Sequence, residues 1–443
     1  MLNWIFVFLI ALSVLAAAFT GKMEALTLGS VKNAESAVTI AIKLIAQMTL
    51  WLGLMGVVRE AGLLRSLARW LRPVMVRLFP DVPADHPAMG AMIMNFAANI
   101  LGLGNAATPF GLKAMSELNK LNRYPGVASN AMALFLAINT SGLAVLALGV
   151  VAIRASLGSK DPGGIIVPSL IAHGCNTVVT IILCKLAQNQ AMFRPEKYLD
   201  QVTPAAAPVA APVDEAALKK AEAEAAPRPP ASGWRLFATL GVTATLLFAL
   251  GLYVAEHRGM GAFLDVMGPV FSNWLLPVLM LAIVVFGMGR QVKVYETFVG
   301  AAKEGFNIGV MIIPYLVAII VAVGMFQDSG LMDQMVKALA PVTLPLGFPP
   351  ESLPMALMRP LSGSGAQGVL IATLQQHGPD SFIGYHVSVL NGSMETTFYV
   401  LAVYYGAVQV KTMRHTVLAC LLADVGGVTA ATVATHLFFG RAH

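Results

Sequence analysis

Charge is scarce in this chain. Asp, Glu, Lys and Arg make up 12% of its 443 residues, about half the share of an ordinary soluble domain. With 57% hydrophobic residues and a mean hydropathy of +0.72, that scarcity excludes a soluble enzyme and a disordered protein. The net charge is +6, but the Lys and Arg lie scattered between apolar runs. No basic patch forms, so nucleic acid is excluded as a partner. Cysteine is rare too. Cys175, Cys184 and Cys420 sit in apolar stretches with neither disulfide nor zinc spacing, and read as small buried hydrophobes.

Enzyme signatures are also missing. There is no His-Glu-x-x-His, no P-loop and no Gly-x-Ser-x-Gly; Ser364 lies between glycines, but Ser362 stands where the first glycine belongs. Gly102-x-Gly104 lacks a third glycine and a preceding strand. No enzyme, no metal site and no cofactor is expected.

What is present is a series of apolar segments long enough to cross a ~30 Å hydrocarbon core. They cover 2–20, 38–58, 128–153, 164–188, 235–256, 269–288, 306–326, 383–408 and 414–438. Residues 2–20 lack the basic start of a signal peptide and read as a retained helix. Residues 196–233 differ: six prolines punctuate a run of Ala, Glu and Lys, the composition of a flexible linker. It divides the chain into 1–195 and 234–443.

The two halves repeat. Asn3-Trp4 corresponds to Asn273-Trp274, and Arg59-Glu60-Ala61-Gly62-Leu63 to Gln327-Asp328-Ser329-Gly330-Leu331. Pro73 precedes Pro341 by the same 268 positions that separate Gly62 from Gly330. Each copy is a unit of four transmembrane helices, with 235–256 inserted between them. Residues 59–80 form an amphipathic helix of the kind that lies in the membrane interface. It holds Arg59, Arg65, Arg69, Arg72 and Arg77, whereas its counterpart 328–345 has no arginine. Arg-rich short loops stay cytoplasmic, so the copies face opposite sides. That inversion requires 87–112 and 352–376, interrupted by Gly and Pro, to dip in and return; the alternative, that they cross fully, makes the halves parallel and leaves the arginine asymmetry unexplained. The fold class is therefore all-α integral membrane: two inverted repeats, each with a re-entrant broken-helix hairpin. The N-terminus, the linker and Lys113–Arg123 fall in the cytoplasm and the C-terminus outside.

Broken helices survive in a membrane only inside protein or beside a wet cavity, and paired ones point to a solute site at the midplane. The first element offers Asn95, Asn99, Asn105 and Thr108; the second offers Arg359, Ser362, Ser364 and Gln367. The next helix of each half adds Asn139, Thr140 and Ser141, or Asn391, Ser393, Glu395, Thr396 and Thr397. Amides and hydroxyls suit an uncharged or zwitterionic solute. The plainer alternative is that they only cap the breaks. Glu395 needs a partner or a cavity. Arg359 is that partner, either as a structural ion pair or in solute or proton coupling. Asp424, midway along the last helix, is a second ion-coupling candidate or a neutral buried acid. His173 and Asn176 read as helix–helix hydrogen-bonding groups, and His86 and His377 as interfacial.

Two stretches look familiar. Leu78-Phe79-Pro80-Asp81-Val82-Pro83-Ala84-Asp85-His86-Pro87, with Gly102-Leu103-Gly104-Asn105-Ala106-Ala107-Thr108-Pro109, resembles spore maturation protein A. Arg359-Pro360-Leu361-Ser362-Gly363, His377-Gly378-Pro379-Asp380-Ser381-Phe382 and Glu395-Thr396-Thr397-Phe398-Tyr399 resemble spore maturation protein B. The resemblance covers nearly everything outside the linker. It implies a nucleoside-recognition or gate domain in each half, with partial similarity to concentrative nucleoside transporters and to the membrane domain of a ferrous-iron transporter. It implies a multi-pass inner-membrane protein, tied in spore formers to dehydration of the spore core. It assigns no binding residues. The fusion of two usually separate chains implies that the halves work as one complex.

The expected function is transport of a small polar or anionic organic solute, nucleoside-like, dipeptide-like or dicarboxylate-like, by alternating access. The alternatives are a non-transporting scaffold or sensor in spore or envelope maturation, and a passive channel. The expected partners are the solute and the lipid bilayer, with a homodimer left open.

Overall fold

The computed structural model describes residues 2–102, 104–142, 147–201, 218–219, 234–256 and 274–439. Most of the linker, and the start of the expected 269–288 segment, lie outside them. The described residues are helical, with one isolated bridge between Val127 and Thr412 as the sole β-contact among them.

In the first half α1 (Leu2–Thr20) precedes α2 (Met23–Glu60) and α3 (Leu63–Leu78). In the second, α10 (Leu275–Gly289), α11 (Val294–Asp328) and α12 (Leu331–Thr343) follow the inserted α9 (Trp234–Glu256). Gly62 separates α2 from α3 at φ 74°, and Gly330 separates α11 from α12 at φ 83°. Glycine takes that left-handed backbone without strain, so the match of these two residues is a match of conformation. Pro73 and Pro341 both lie inside the short helix that follows.

The interrupted segments form helix pairs: α4 (Pro87–Ile100) packs along α5 (Gly104–Lys120), and α13 (Leu353–Leu361) along α14 (Gly363–His377). The Asn95 amide donates to the Ala107 carbonyl across the first turn, at 2.9 Å.

Two expected spans are not continuous. Residues 128–153 divide into α6 (Asn130–Ser141) and α7 (Leu148–Ser156), and 383–408 into α15 (Phe382–Gly392) and α16 (Thr397–Ala407). Gly142, at φ 75°, ends the first helix, and residues 393–396 separate the second pair. The long apolar runs hide breaks that fall where the polar clusters are. Serine opens each pair: the Ser129 and Ser381 side chains accept from the backbone of Met132 and Gly384, satisfying a free helix-start N–H. The closing helices are α8 (Ile166–Gln188) and α17 (Thr416–Phe438).

Among the described residues three helices, 23–60, 162–188 and 416–438, are long and apolar enough to span a membrane. The pair 316–328 and 331–346, bent by 75° at the Gly330 break, passes the same length and hydropathy test only when taken together, as a broken span or a re-entrant loop. Leu170, Val178 and Ile182 of α8, and Leu418, Val425 and Val433 of α17, stand exposed, as lipid-facing side chains do. Cys184 and Cys420 are buried as expected, but Cys175 is exposed on α8; its neighbours His173 and Asn176 take the buried side of that helix.

Helices α2 and α11 run antiparallel in close contact. Gly29 lies against Asp328, Gly324 against Asn33, and Gly56 against Ala301. Small residues let such backbones approach. A β-carbon at Gly305 would stand 2.6 Å from the Met48 carbonyl oxygen, whereas one at Gly300 meets nothing within 4 Å. Gly305→Ala is expected to cost ~1–3 kcal/mol by overpacking. Gly300→Ala should be neutral or mildly stabilising through helix propensity. Melting curves in detergent compare the two; equal midpoints would mean that the helices do not touch there.

Candidate functional site

Polar residues from each hairpin and each break meet at one cavity of about 540 Å³. Asn99 from α4, Thr108 from α5 and Asn139 at the end of α6 form one side. Ser362, Gly363 and Ser364 at the start of α14 form another. Glu395 and Thr396 from the second break, with Tyr399 and Tyr404 of α16, complete the wall. Glycine and alanine thin this region: a β-carbon at Gly111 would overlap the Tyr404 phenol.

Local chemistry explains why the chain breaks here. Ser362, extended at φ −154°, accepts from the Gly365 backbone N–H at 3.1 Å and so starts α14 at the cavity. The free N–H groups and the positive end of that helix face the space. Each hairpin tip also holds the broken helix of its own half. The Asn99 amide donates to the Asn139 side-chain oxygen at 2.9 Å, and Arg359 Nε donates to the Asn391 carbonyl at 3.3 Å. In the local match Asn99-x-Leu101 with Arg359-x-Leu361, one tip carries an amide and the other a cation.

Arg359 forms the expected ion pair. It donates to Glu395 at 3.3 Å and to the Thr396 hydroxyl at 3.0 Å. Its side chain is 9% exposed and that of Glu395 is 46% exposed. The carboxylate therefore sees the cavity and the guanidinium backs it from the protein side.

Of the sequence-derived candidates, Asn99, Thr108, Asn139, Ser362, Ser364, Glu395 and Thr396 line the cavity. The others lie off its wall. Asn95 is fully buried, donating to Ala107 and, at 3.4 Å, to the Tyr404 oxygen. Thr140 turns towards Cys420, 3.3 Å away, because its neighbour Asn139 holds the cavity-facing position on that helix. Asn391 is buried beside Met355. Gln367 is half-buried one turn into α14. The Asn105 side chain lies outside the described residues.

Asp424 is buried on α17 and accepts from the Thr397 hydroxyl, which is 2.9 Å from one carboxylate oxygen and 3.1 Å from the other. It borders a second, apolar cavity of about 990 Å³. Asn176 donates to the Ser141 carbonyl between helices, as expected. His173 lies against Gly142 with no such bond among the described residues. His86 caps α4 through its Nδ1, and His377 ends α14.

Tyr399 and Tyr404 had not been expected. Thr396, Tyr399, Val400, Val403 and Tyr404 follow the i, i+3, i+4, i+7, i+8 pattern of a single helix face, and that stripe was the available signal. Among the described residues no group of three or more His, Cys, Asp or Glu gathers as metal ligands.

Residues 41–157 and 310–411 match the family described as Gate: nucleoside recognition. Over 174 residues the chain is 43% identical to spore maturation protein B of Bacillus subtilis (strain 168), covering 38% of this chain and 98% of that protein. Over 183 residues it is 40% identical to spore maturation protein A of the same organism, covering 41% of this chain and 93% of that protein. The Alcanivorax borkumensis YdaH transporter, whose crystal structure has an unusual topology, aligns over 99% of this chain and 97% of its own at a TM-score of 0.45 and 15% identity. A likeness of that degree says nothing about substrate. The two long, specific matches do settle kinship: this chain belongs to the spore maturation protein A and B families and joins counterparts of both in one polypeptide.

Proposed function

We propose that this protein transports a small polar or zwitterionic organic solute across the inner membrane, binding it in the 540 Å³ cavity. The observation that carries this reading is the cavity's parentage. In a chain this apolar, its polar wall is drawn from hairpins and breaks of both halves. Balanced charge from Arg359 and Glu395, with amides and hydroxyls around them, suits a solute of little net charge. The start of α14 offers a place for a carboxylate or other acceptor, and the tyrosines offer faces for a planar ring.

In this reading the halves, 1–195 and 234–443, are inverted repeats and α4–α5 and α13–α14 are re-entrant. Several contacts support it. Arg414, just before α17, bonds the Ala128 carbonyl and the Asn130 side chain at the start of α6. Arg154, in α7, bonds the Pro379 carbonyl and Asp380 just before α15. The two contacts are reciprocal: each joins the end of one half's broken pair, α6–α7 or α15–α16 and the loop after it, to the start of the other half's pair, an arrangement consistent with a two-fold axis relating the halves. Alternating access then follows from one half rocking against the other. The N-terminus and linker are cytoplasmic in this arrangement, and Glu395 and Asp424 are the ion-coupling carboxylates.

The test is a thermal-shift panel of nucleosides, dipeptides and dicarboxylates on the purified full chain, followed by proteoliposome uptake of any stabilising solute. Saturating solute at about 100 Kd stabilises by ~2.7 kcal/mol, and Ser364→Trp, which fills the cavity, should abolish both shift and uptake. Binding without flux would favour the sensor reading that the relatives' names leave open. Neither binding nor flux for any class would remove the transporter reading.

A further inference from the structure

A groove of about 660 Å³ between α3 and the start of α4 shares no lining residue with the polar cavity. Its lining mixes two chemistries: Arg69, Arg72, Asp85 and His86 are polar or charged, and Met89, Gly90, Ile93 and Met94 are apolar. On a neighbouring face of α3, Trp70 is 84% exposed and Val74 58% exposed. A tryptophan so placed on an Arg-rich amphipathic helix marks the depth of lipid headgroups.

We propose that this groove is a specific site for an anionic phospholipid, with the phosphate held by Arg69 and Arg72 and one acyl chain laid along Gly90, Ile93 and Met94. The proposal rests on α3 lying in the membrane interface, not on the transport reading. Charge complementarity identifies the occupant. Two arginines one turn apart give a fork for phosphate oxygens, and the apolar lining that shares the groove with them suits a chain rather than a soluble anion. His86 adds a donor: its Nδ1 accepts from the Ala88 N–H at 3.2 Å, which leaves the ring proton on Nε2.

Asp85 is the one opposing charge in the groove. It accepts from Arg72 at 2.9 Å, but the side chains are 57% and 95% exposed. An exposed pair of this kind contributes little, so a phosphate can replace the carboxylate on Arg72. The carboxylate tunes the site rather than filling it.

The experiment is native mass spectrometry of the full chain, delipidated in neutral detergent and titrated with phosphatidylglycerol or phosphatidylcholine. The wild type should retain one phosphatidylglycerol in preference to phosphatidylcholine. Arg69→Gln with Arg72→Gln should weaken that binding about tenfold or more, given the usual worth of a basic residue at an anionic lipid surface. Asp85→Asn should tighten it severalfold. All three residues are exposed, so melting midpoints should stay at the wild-type value. Equal retention of the two lipids, or an unchanged affinity in the double arginine variant, would overturn the proposal. So would glycerol phosphate displacing the lipid at equal concentration, because the site would then read only the headgroup.

Discussion

Arg154→Met should cost the folded protein about 3–5 kcal/mol, the range for breaking a buried, hydrogen-bonded charge pair. Arg154 is fully buried. One terminal nitrogen donates to the Pro379 carbonyl at 2.5 Å and the other to the Asp161 carbonyl, the Ser159 hydroxyl and Asp380, each at 3.1 Å. The substitution leaves two carbonyls short of a donor, and an acid still held by Ser159 and by the Lys160 N–H. Because that acid keeps two of its bonds, the lower end of the range is expected. Arg154→Lys recovers only part of the loss, since one ammonium cannot span partners spread over a planar fork. Arg77→Met, at an exposed position on α3, is the control. Melting in detergent measures all three. A midpoint for Arg154→Met equal to that of the control would mean that the α7 end and the α15 start are held together by something else.

That arginine shows where reading the sequence succeeds and where it stops. A lone charge at the end of an apolar run reads as a snorkelling side chain, and nothing nearby in sequence announces Pro379 or Asp380 as partners. Backbone conformation was easier to find. Gly62 and Gly330 each open a short helix after a long one, and a left-handed turn needs glycine, so the repeat could be seen in residues 268 positions apart. The breaks after α6 and α15 were harder, because averaging over 128–153 or 383–408 dilutes Asn139–Gly142 and Gly392–Thr396 among apolar neighbours. The Arg359–Glu395 pair was legible because an acid and a base at membrane depth have few other partners. The clusters were over-read, since adjacent residues on a helix point about 100° apart. Asn139 lines the cavity, and Thr140, turned towards Cys420, does not. Tyr404 is legible only through the Thr396–Tyr399–Val400–Val403–Tyr404 stripe, because an aromatic taken singly in an apolar run carries no signal.

Glu395→Gln should turn solute selection towards anions, and Arg359→Met should turn it towards cations. In the wild type the half-exposed carboxylate and the nearly buried guanidinium behind it cancel at the cavity wall. Neutralising Glu395 leaves a cation beside the space, still held by the Asn391 carbonyl and the Thr396 hydroxyl, so the fold should survive. Unit charges 4 Å apart near a protein surface interact by ~4 kcal/mol; a third of that is about tenfold in relative uptake. The two substitutions should therefore move the anion-to-cation uptake ratio in opposite directions by about that factor each. Arg359→Met also strips donors from Asn391 and Thr396, so its melting point should fall while that of Glu395→Gln does not. Asp424→Asn separates charge at the wall from coupling. Asp424 bonds Thr397 rather than lining the polar cavity, so its neutralisation should leave solute preference and exchange intact and remove uptake driven by an ion gradient. Proteoliposome assays with matched anionic and cationic analogues give all of these readings. A shift of preference in the same direction for Glu395→Gln and Arg359→Met would mean that the pair never faces the solute. It would then be a brace between the α13–α14 turn and the end of α15.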